Sequence, residues 1–245
     1  MRALILRLDA PWMSFGAPIV DHHGFIERFP GQAMLTGLIA NALGWDHGDA
    51  DRLQALQKRL VFAARWDVPP QEVVDYQTVD LGQPKLRETG WTTRGAPEHR
   101  KGGQQAKYGT HIRLRHYWED GLMTLALAIE DGEEPNLNEI RAALRRPARP
   151  LFLGRKSCLP ARPLLDPQDP MVEADSILEA LKKIPVWSRN GTCGNTTRLE
   201  ACWPSTPEVC NGAMETVYDL RDWHAQLMTG EHRRMRGVLP MGKCE

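Results

Sequence analysis

Apolar residues recur along this chain in two alternating rhythms. Ala3-Leu4-Ile5-Leu6-Arg7-Leu8 is an apolar run of strand length, broken only at Arg7 and closed by Pro11. A loop rich in Gly, Pro and His follows as far as Pro30. Met34, Leu35, Leu38, Ile39 and Ala42 then fall at the spacing of a core-facing helix. Gly37 inside that stripe costs about 1 kcal/mol in helix propensity, so a close backbone approach is expected there. Leu53, Leu56 and Leu60 mark a shorter helix with Asp49 or Asp51 as its cap. Val61 to Trp66 and Val73 to Val79 have strand character.

Residues 81–110 break the rhythm. Six glycines accompany basic residues there, with almost no aliphatic side chains. Such a segment cannot hold a core, so an arm or insertion is expected. Alternation resumes from His111 to Tyr117, and Leu122 to Ile129 is again apolar. Asp120-Gly121 between these runs predicts a hairpin. Asn136 with Glu139 predicts a capping box ahead of Leu137, Ile140 and Leu144. A last strand is expected at Pro150-Leu151-Phe152-Leu153.

The order strand, helix, strand, strand, helix, strand predicts an α+β fold. It is the ferredoxin-like or RRM-like βαββαβ arrangement, here with a basic insertion in its middle. Residues 1–160 form this domain. From residue 160 on, four prolines precede a short helix containing Ile177, Leu178, Leu181 and Ile184. The stretch beyond is rich in Gly, Thr and Trp, and 161–245 is expected to be a small β-containing lobe.

Composition narrows the classes. A 42% hydrophobic content with 31 basic and 31 acidic residues excludes a disordered chain. No apolar stretch approaches the roughly 20 residues of a membrane span. The first residues lack the pattern of a signal peptide. Five cysteines without a C-x-x-C pair encode neither a disulfide framework nor a zinc knuckle, and a reduced, cytoplasmic setting is expected.

Neutral net charge conceals segregation. The windows 85–115 and 141–162 together hold 15 of the 31 basic residues but 2 of the 31 acids. A third cluster, Arg233, Arg234, Arg236 and Lys243, lies near the carboxyl end. Converging in space, the first two would form a groove for a polyanion. As isolated clusters they would be solvated faces.

Phosphate-loop, dinucleotide, zincin and hydrolase-elbow motifs are all absent from the sequence. Asp21-His22-His23 lacks ligands at metal spacing, so neither a metal nor any other cofactor is expected. Lys107, Tyr108, His111 and His116 supply the residue types of a metal-free ribonuclease, which needs a base, an acid and a cation for the phosphorane. The same types also simply hold RNA. Trp91, Tyr108, Tyr117 and Trp118 offer stacking faces for unpaired bases, although Trp118 fits better as a strand residue packed on the sheet. Leu153-Gly154-Arg155-Lys156-Ser157-Cys158 places two cations and a hydroxyl on a turn with freed backbone N–H groups, which suits a bent phosphodiester backbone.

With Leu4 to Leu8 and Ala10-Pro11, Arg28-Phe29-Pro30, Gly37-Leu38, Ala42-Leu43-Gly44, Asp75 to Val79, Arg115-His116-Tyr117 and Leu153 to Cys158 in this order, residues 1 to about 165 resemble the CasD family. These are subunits of the type I-E CRISPR Cascade complex. The resemblance implies a non-catalytic, cytoplasmic RNA-binding subunit that caps the 5′ handle of the CRISPR RNA. It implies a thumb, fitting about 81–115, and contacts with the backbone and large subunits. Target DNA would be met through the assembled complex, and no membrane is involved. Carried over by position, Arg28, Arg155, Lys156 and Ser157 line the handle pocket. Arg115 and Tyr117 sit at the thumb base, and Lys101, Lys107 and Arg113 lie on the thumb. Where the family often has Thr or Lys, then Arg and Ser, this chain has Gly31-Gln32-Ala33, leaving Gln32 as the polar contact. The alternative is a metal-independent endoribonuclease that processes precursor RNA, as in the related type I-C subunit.

Overall fold

The computed structural model describes residues 1–20, 22–80, 110–130, 132, 134–168, 170–189, 198–205 and 212–241. The fold is mixed α and β. In chain order, β1 (Arg2–Asp9), β2 (Trp12–Met13), β3 (Gly16–Val20) and β4 (His23–Ile26) precede α1 (Gln32–Leu43) and α2 (Ala50–Arg59). Then come β5 (Leu60–Val68), β6 (Gln71–Asp80), β7 (Thr110–Glu119), β8 (Leu122–Ile129) and α3 (Leu137–Arg145). The remainder is β9 (Met171–Glu173), α4 (Ile177–Lys183), β10 (Arg198–Pro204), β11 (Ala213–Asp222) and β12 (Leu227–Pro240).

Seven strands make one sheet, in the order β11-β12-β10-β5-β8-β1-β9. β1 lies inside it and is buried on both faces, which explains its nearly continuous apolar run. Leu4, Leu6 and Leu8 pack with Leu35, Ile39, Leu56 and Ile140 from α1 to α3. Ala3 and Ile5 on the other face pack with Ile177, Leu178 and Leu181 of α4. Arg7 is buried within this framework because Asp166 and Asp67 both accept from its guanidinium. Arg65, fully buried, donates to Asp67 and to the Leu181, Ile184 and Pro185 carbonyls, fixing the end of α4 on the sheet.

Several expectations change. Leu151 to Leu153 form no strand; the strand that pairs with the outer side of β1 is β9. One sheet also includes strands from both sides of residue 160, since β10 pairs β5 through Ala201–Arg65 and Cys202–Ala64. Asp120-Gly121 does not close a hairpin. β8 pairs with β5, whereas β7 pairs with β6 in a second sheet. Both ladders run on through the same corner, with Pro69-Pro70 opposite Asp120-Gly121. Asp120 takes φ 58°, and a Cβ on Gly121 would lie 2.6 Å from Trp66, so the corner needs this pair.

The helical expectations hold more closely. Asn136 accepts from the Asn138 and Glu139 N–H groups, while Glu139 accepts from the Asn136 N–H. Asp49 precedes α2 but caps nothing with its side chain; its carboxylate accepts from the Asp46 N–H instead. Gly37 has only Trp223 nearby, at an ordinary 3.8 Å, so the expected close approach is mild.

Candidate nucleic-acid interface

The second sheet is built on β7. β2 and β4 pair along one edge and β6 along the other, with β6 and β7 in register from Gln71–Glu119 to Asp80–Thr110. Residues 81–109 therefore join the tips of a two-stranded arm. Lys101, Lys107 and Tyr108 lie outside the described residues, as do Trp91 and Asp21. His111 enters only as a backbone partner of Val79.

Strand alternation divides β7 into two faces. Arg113, Arg115 and Tyr117 share one; Leu114, His116 and Trp118 share the other. Arg115 is exposed opposite Asp75, and Arg113 is half-buried opposite Gln77. Tyr117 is 2% exposed, with Trp12 stacked on it at 4.8 Å and the Arg155 guanidinium over it at 4.8 Å. It is a packed strand residue, not an open stacking face. Trp118 is likewise committed, donating to the Glu27 carbonyl at 2.7 Å beneath the Arg28 guanidinium.

The Gly154 turn docks against this face. Gly154 takes φ 97°, and a Cβ there would fall 1.5 Å from the Ser14 carbonyl oxygen, so only glycine fits. Leu153 N–H donates to the Cys158 carbonyl and Cys158 N–H to the Arg155 carbonyl, closing the turn. Cys158 is buried within it; burial raises its thiol pKa against opposing contributions from Ser157 and Arg155. Lys156 and Ser157 project to the exposed side.

Arg155 joins turn and arm. It donates to the His116 carbonyl at 2.7 Å and the Gly24 carbonyl at 2.9 Å, at the place where the parallel β4–β7 ladder ends. Gly24 leaves room for this approach, because a Cβ there would lie 2.8 Å from the Arg155 Nη2 and push the guanidinium aside. The basic window around 113–115 and the one around 155–156 thus meet on one side of the molecule, though Arg155 spends much of its hydrogen bonding on the protein itself.

Arg28 and Gln32 are placed differently. Arg28 pairs with Glu200 of β10 at 2.6 Å and lies over Trp66 and Trp118. Arg236 pairs with the other Glu200 oxygen at 2.7 Å. Burial works to raise the Glu200 pKa, but the hydrogen bonds and charges of Arg28 and Arg236 outweigh it and hold it low. Arg234 is 2% exposed and binds Glu215 at 2.8 Å. Much of the third basic cluster is therefore engaged by internal acids. Gln32 uses its side-chain amide on the Gln57 and Leu60 carbonyls. Its N–H donates to Asp219, whose carboxylate closes the amino end of α1 and would strike any side chain at Gly31. That contact gives the Gly31-Gln32-Ala33 departure a physical reason.

On the opposite face, His116 Nδ1 lies 2.6 Å from Glu72 Oε1 and its Nε2 lies 3.3 Å from His23 Nδ1. Phe25 packs on both imidazoles. Among the described residues, no group of three or more His, Cys, Asp or Glu side chains is arranged to hold a metal. Nor is any described helix long and apolar enough to cross a membrane. Trp12, Gly24, Glu72 and Glu200 carry no local signal in the sequence, since each acts on a distant segment.

Comparison with known proteins agrees with this architecture. A solved chain described as a CRISPR RNA-guided surveillance complex superposes with TM-score 0.65 at 24% identity, covering 98% of this chain and 90% of that one. A second, described as the crystal structure of a Cas protein, gives 0.58 at 24% identity, over 99% and 98%. Both likenesses bear on the fold. The CRISPR system Cascade subunit CasD of Escherichia coli (strain K12) is 30% identical over 181 residues, 71% of this chain and 77% of the relative. Residues 3–235 match the family described as CRISPR-associated protein (Cas_Cas5), and the chain belongs to that family.

Proposed function

We propose that this protein is a non-catalytic, RNA-binding subunit of a CRISPR Cascade surveillance complex. It holds the 5′ handle of the CRISPR RNA against the arm and the Gly154 turn, and contacts the neighbouring backbone and large subunits. Through that complex it supports guided recognition of invading DNA. The observation that carries this reading is Arg155, which ties the Gly154 turn to β7, with Lys156 and Ser157 exposed on that turn and Arg115 exposed on the strand. The order β9-β1-β8-β5 within the main sheet supports a ferredoxin-like or RRM-like unit, whose thumb is the segment of about 81–115.

The physical basis is phosphate contact. Exposed cations on a rigid strand and turn release counterions when they meet a polyanion, and affinity then falls as salt rises. Fluorescence anisotropy with labelled repeat RNA, measured across a salt series, tests this. Arg115→Ala combined with Lys156→Ala should lower the salt slope by about two units; an unchanged slope would remove both side chains from the interface.

One observation favours a second reading, a metal-independent endoribonuclease. His116, oriented by Glu72 and touching His23, has the geometry of a positioned acid or base. Incubation of repeat RNA with the protein in chelator separates the two. Intact RNA supports the binding subunit, whereas cleavage that disappears in His116→Ala supports the enzyme.

A further inference from the structure

A cavity of about 640 Å³ opens at the far end of the main sheet, away from the arm face. Its origin is local. β5 and β10 pair through only two residues, Arg65 with Ala201 and Ala64 with Cys202. Pro204, lacking an N–H, cannot extend the ladder. The strands part there, and α2 and the β11–β12 pair wall the opening. Its size falls in the range of small-molecule sites.

The lining combines two chemistries. Leu60, Phe62, Cys202 and Leu220 are apolar. Lys58, Arg221, Arg233 and Arg234 bring four cations against one lining carboxylate, Asp222. That carboxylate is already engaged, accepting from the His224 and Ala225 N–H groups. Two guanidinium nitrogens of lining residues, Arg234 Nη2 and Arg221 Nε, are buried beneath the wall without a hydrogen-bond partner, while Arg221 Nη2 donates to Gln226. Arg234 keeps its Nε on Glu215 at 2.8 Å, but the Glu27 carboxylate is 4.0 Å from Nη2, beyond hydrogen-bond reach. The two unpartnered nitrogens add positive potential behind the wall, and the cations a bound group meets directly are Lys58, Arg221 and Arg233.

We propose that this cavity binds a nucleoside polyphosphate, with its phosphates on Lys58, Arg221 and Arg233, the buried Arg234 behind them, and its nucleoside against Phe62 and Leu220. The forked guanidinium matches phosphate oxygens, and a multiply charged group suits four cations better than a single carboxylate does. The apolar part accounts for the organic half of the ligand. Arg221 also lines a neighbouring cavity reached by Gly154 and Arg155, but the inference is argued from the lining of this cavity and does not rest on the handle reading.

Calorimetric titration of the full chain with ATP, inorganic tripolyphosphate and adenosine tests it. ATP should bind saturably, more weakly at higher salt, and raise the unfolding temperature. Adenosine should not bind, and tripolyphosphate should bind more weakly than ATP. Lys58→Ala, at an exposed position, should weaken ATP binding, and adding Arg221→Gln should bring the loss to about tenfold or more. Arg145→Ala, removing an exposed cation of α3, is the charge-matched control and should change nothing. A short single-stranded RNA that displaces ATP would identify RNA as the source of the nucleotide; failure to displace would identify the free nucleotide. Absence of saturable ATP binding overturns the proposal. So does binding untouched by Lys58→Ala, or tripolyphosphate binding as tightly as ATP.

Discussion

Replacing Arg155 separates its two roles, as a structural clamp and as part of an RNA surface. Arg155→Ala removes two charge-assisted hydrogen bonds, to the His116 and Gly24 carbonyls at 2.7 and 2.9 Å. It also removes a guanidinium seated 4.8 Å from the Tyr117 ring centre. Hydrogen bonds from charged groups contribute roughly 1.5–3 kcal/mol each, and a partly exposed cation–π contact about 0.5–1 kcal/mol. Because Arg155 is only half-buried, water can reach part of the site and the lower ends apply. The expected loss is about 3.5 kcal/mol. In a chain of this size that lowers the unfolding temperature by roughly 7–14 °C.

Urea unfolding followed by tryptophan fluorescence gives the measurement. The midpoint of Arg155→Ala should fall with the slope preserved, since no large surface is uncovered. Arg155→Lys keeps the charge but cannot bridge two carbonyls with a planar fork, so it should recover less than half the loss. Lys156→Ala, one residue along and exposed, should stay within about 0.5 kcal/mol of the parent, while lowering the RNA salt slope by about one. If Arg155→Ala unfolds at the parent's midpoint, the clamp does not exist, and Arg155 would have to be assigned to the RNA alone.

Two other measurements probe the same framework. Gly154→Ala combines an unfavourable φ of 97° with a Cβ placed 1.5 Å from the Ser14 carbonyl oxygen; the chain should lose the docked turn, seen as rapid proteolysis near residue 154 against a resistant parent. Glu200 should contribute to acid unfolding: its folded pKa lies below the ordinary 4.5, so its stabilisation is complete above the unfolded value and disappears as pH falls through the folded one. Glu200→Gln should therefore flatten the loss of stability below about pH 4.5, whereas an unchanged pH profile would mean that the Arg28 and Arg236 contacts contribute nothing in solution.

The elements most legible in the sequence are those whose cause is local. The stripe of α1 and the reciprocal cap of α3 depend on neighbours within a few residues, and the run of β1 and the glycine at 154 show in the local pattern although the sheet and the Ser14 carbonyl that require them are distant. What escaped depends on distant partners. Asp120-Gly121 has the composition of a hairpin, yet β8 already had β5 as its partner, and the pair became a corner between sheets. The strand beside β1 is three residues long and follows a proline-rich stretch, so periodicity could not find it. At the site, the basic turn was visible, but the use of Arg155 was not, because one of its acceptors, Gly24, is 131 residues away. The burial of Tyr117 likewise depends on Trp12, which no spacing rule connects to it.

That distinction also decides what neutral net charge means for this protein. Arg7 and Arg65 are buried against Asp67 and Asp166, Arg28 and Arg236 are paired with Glu200, and Arg234 is paired with Glu215. Five arginines there face four carboxylates, so most of that positive charge is cancelled by the fold and little of it reaches a ligand. Arg115 and Lys156 remain exposed. Charges separated by more than about 8–10 Å are largely screened at physiological salt, so acids elsewhere on the surface do little to weaken attraction at the arm and turn. Affinity for a polyanion should thus follow the number of exposed cations along its path, and neutralising a remote surface acid should leave the salt slope where it was.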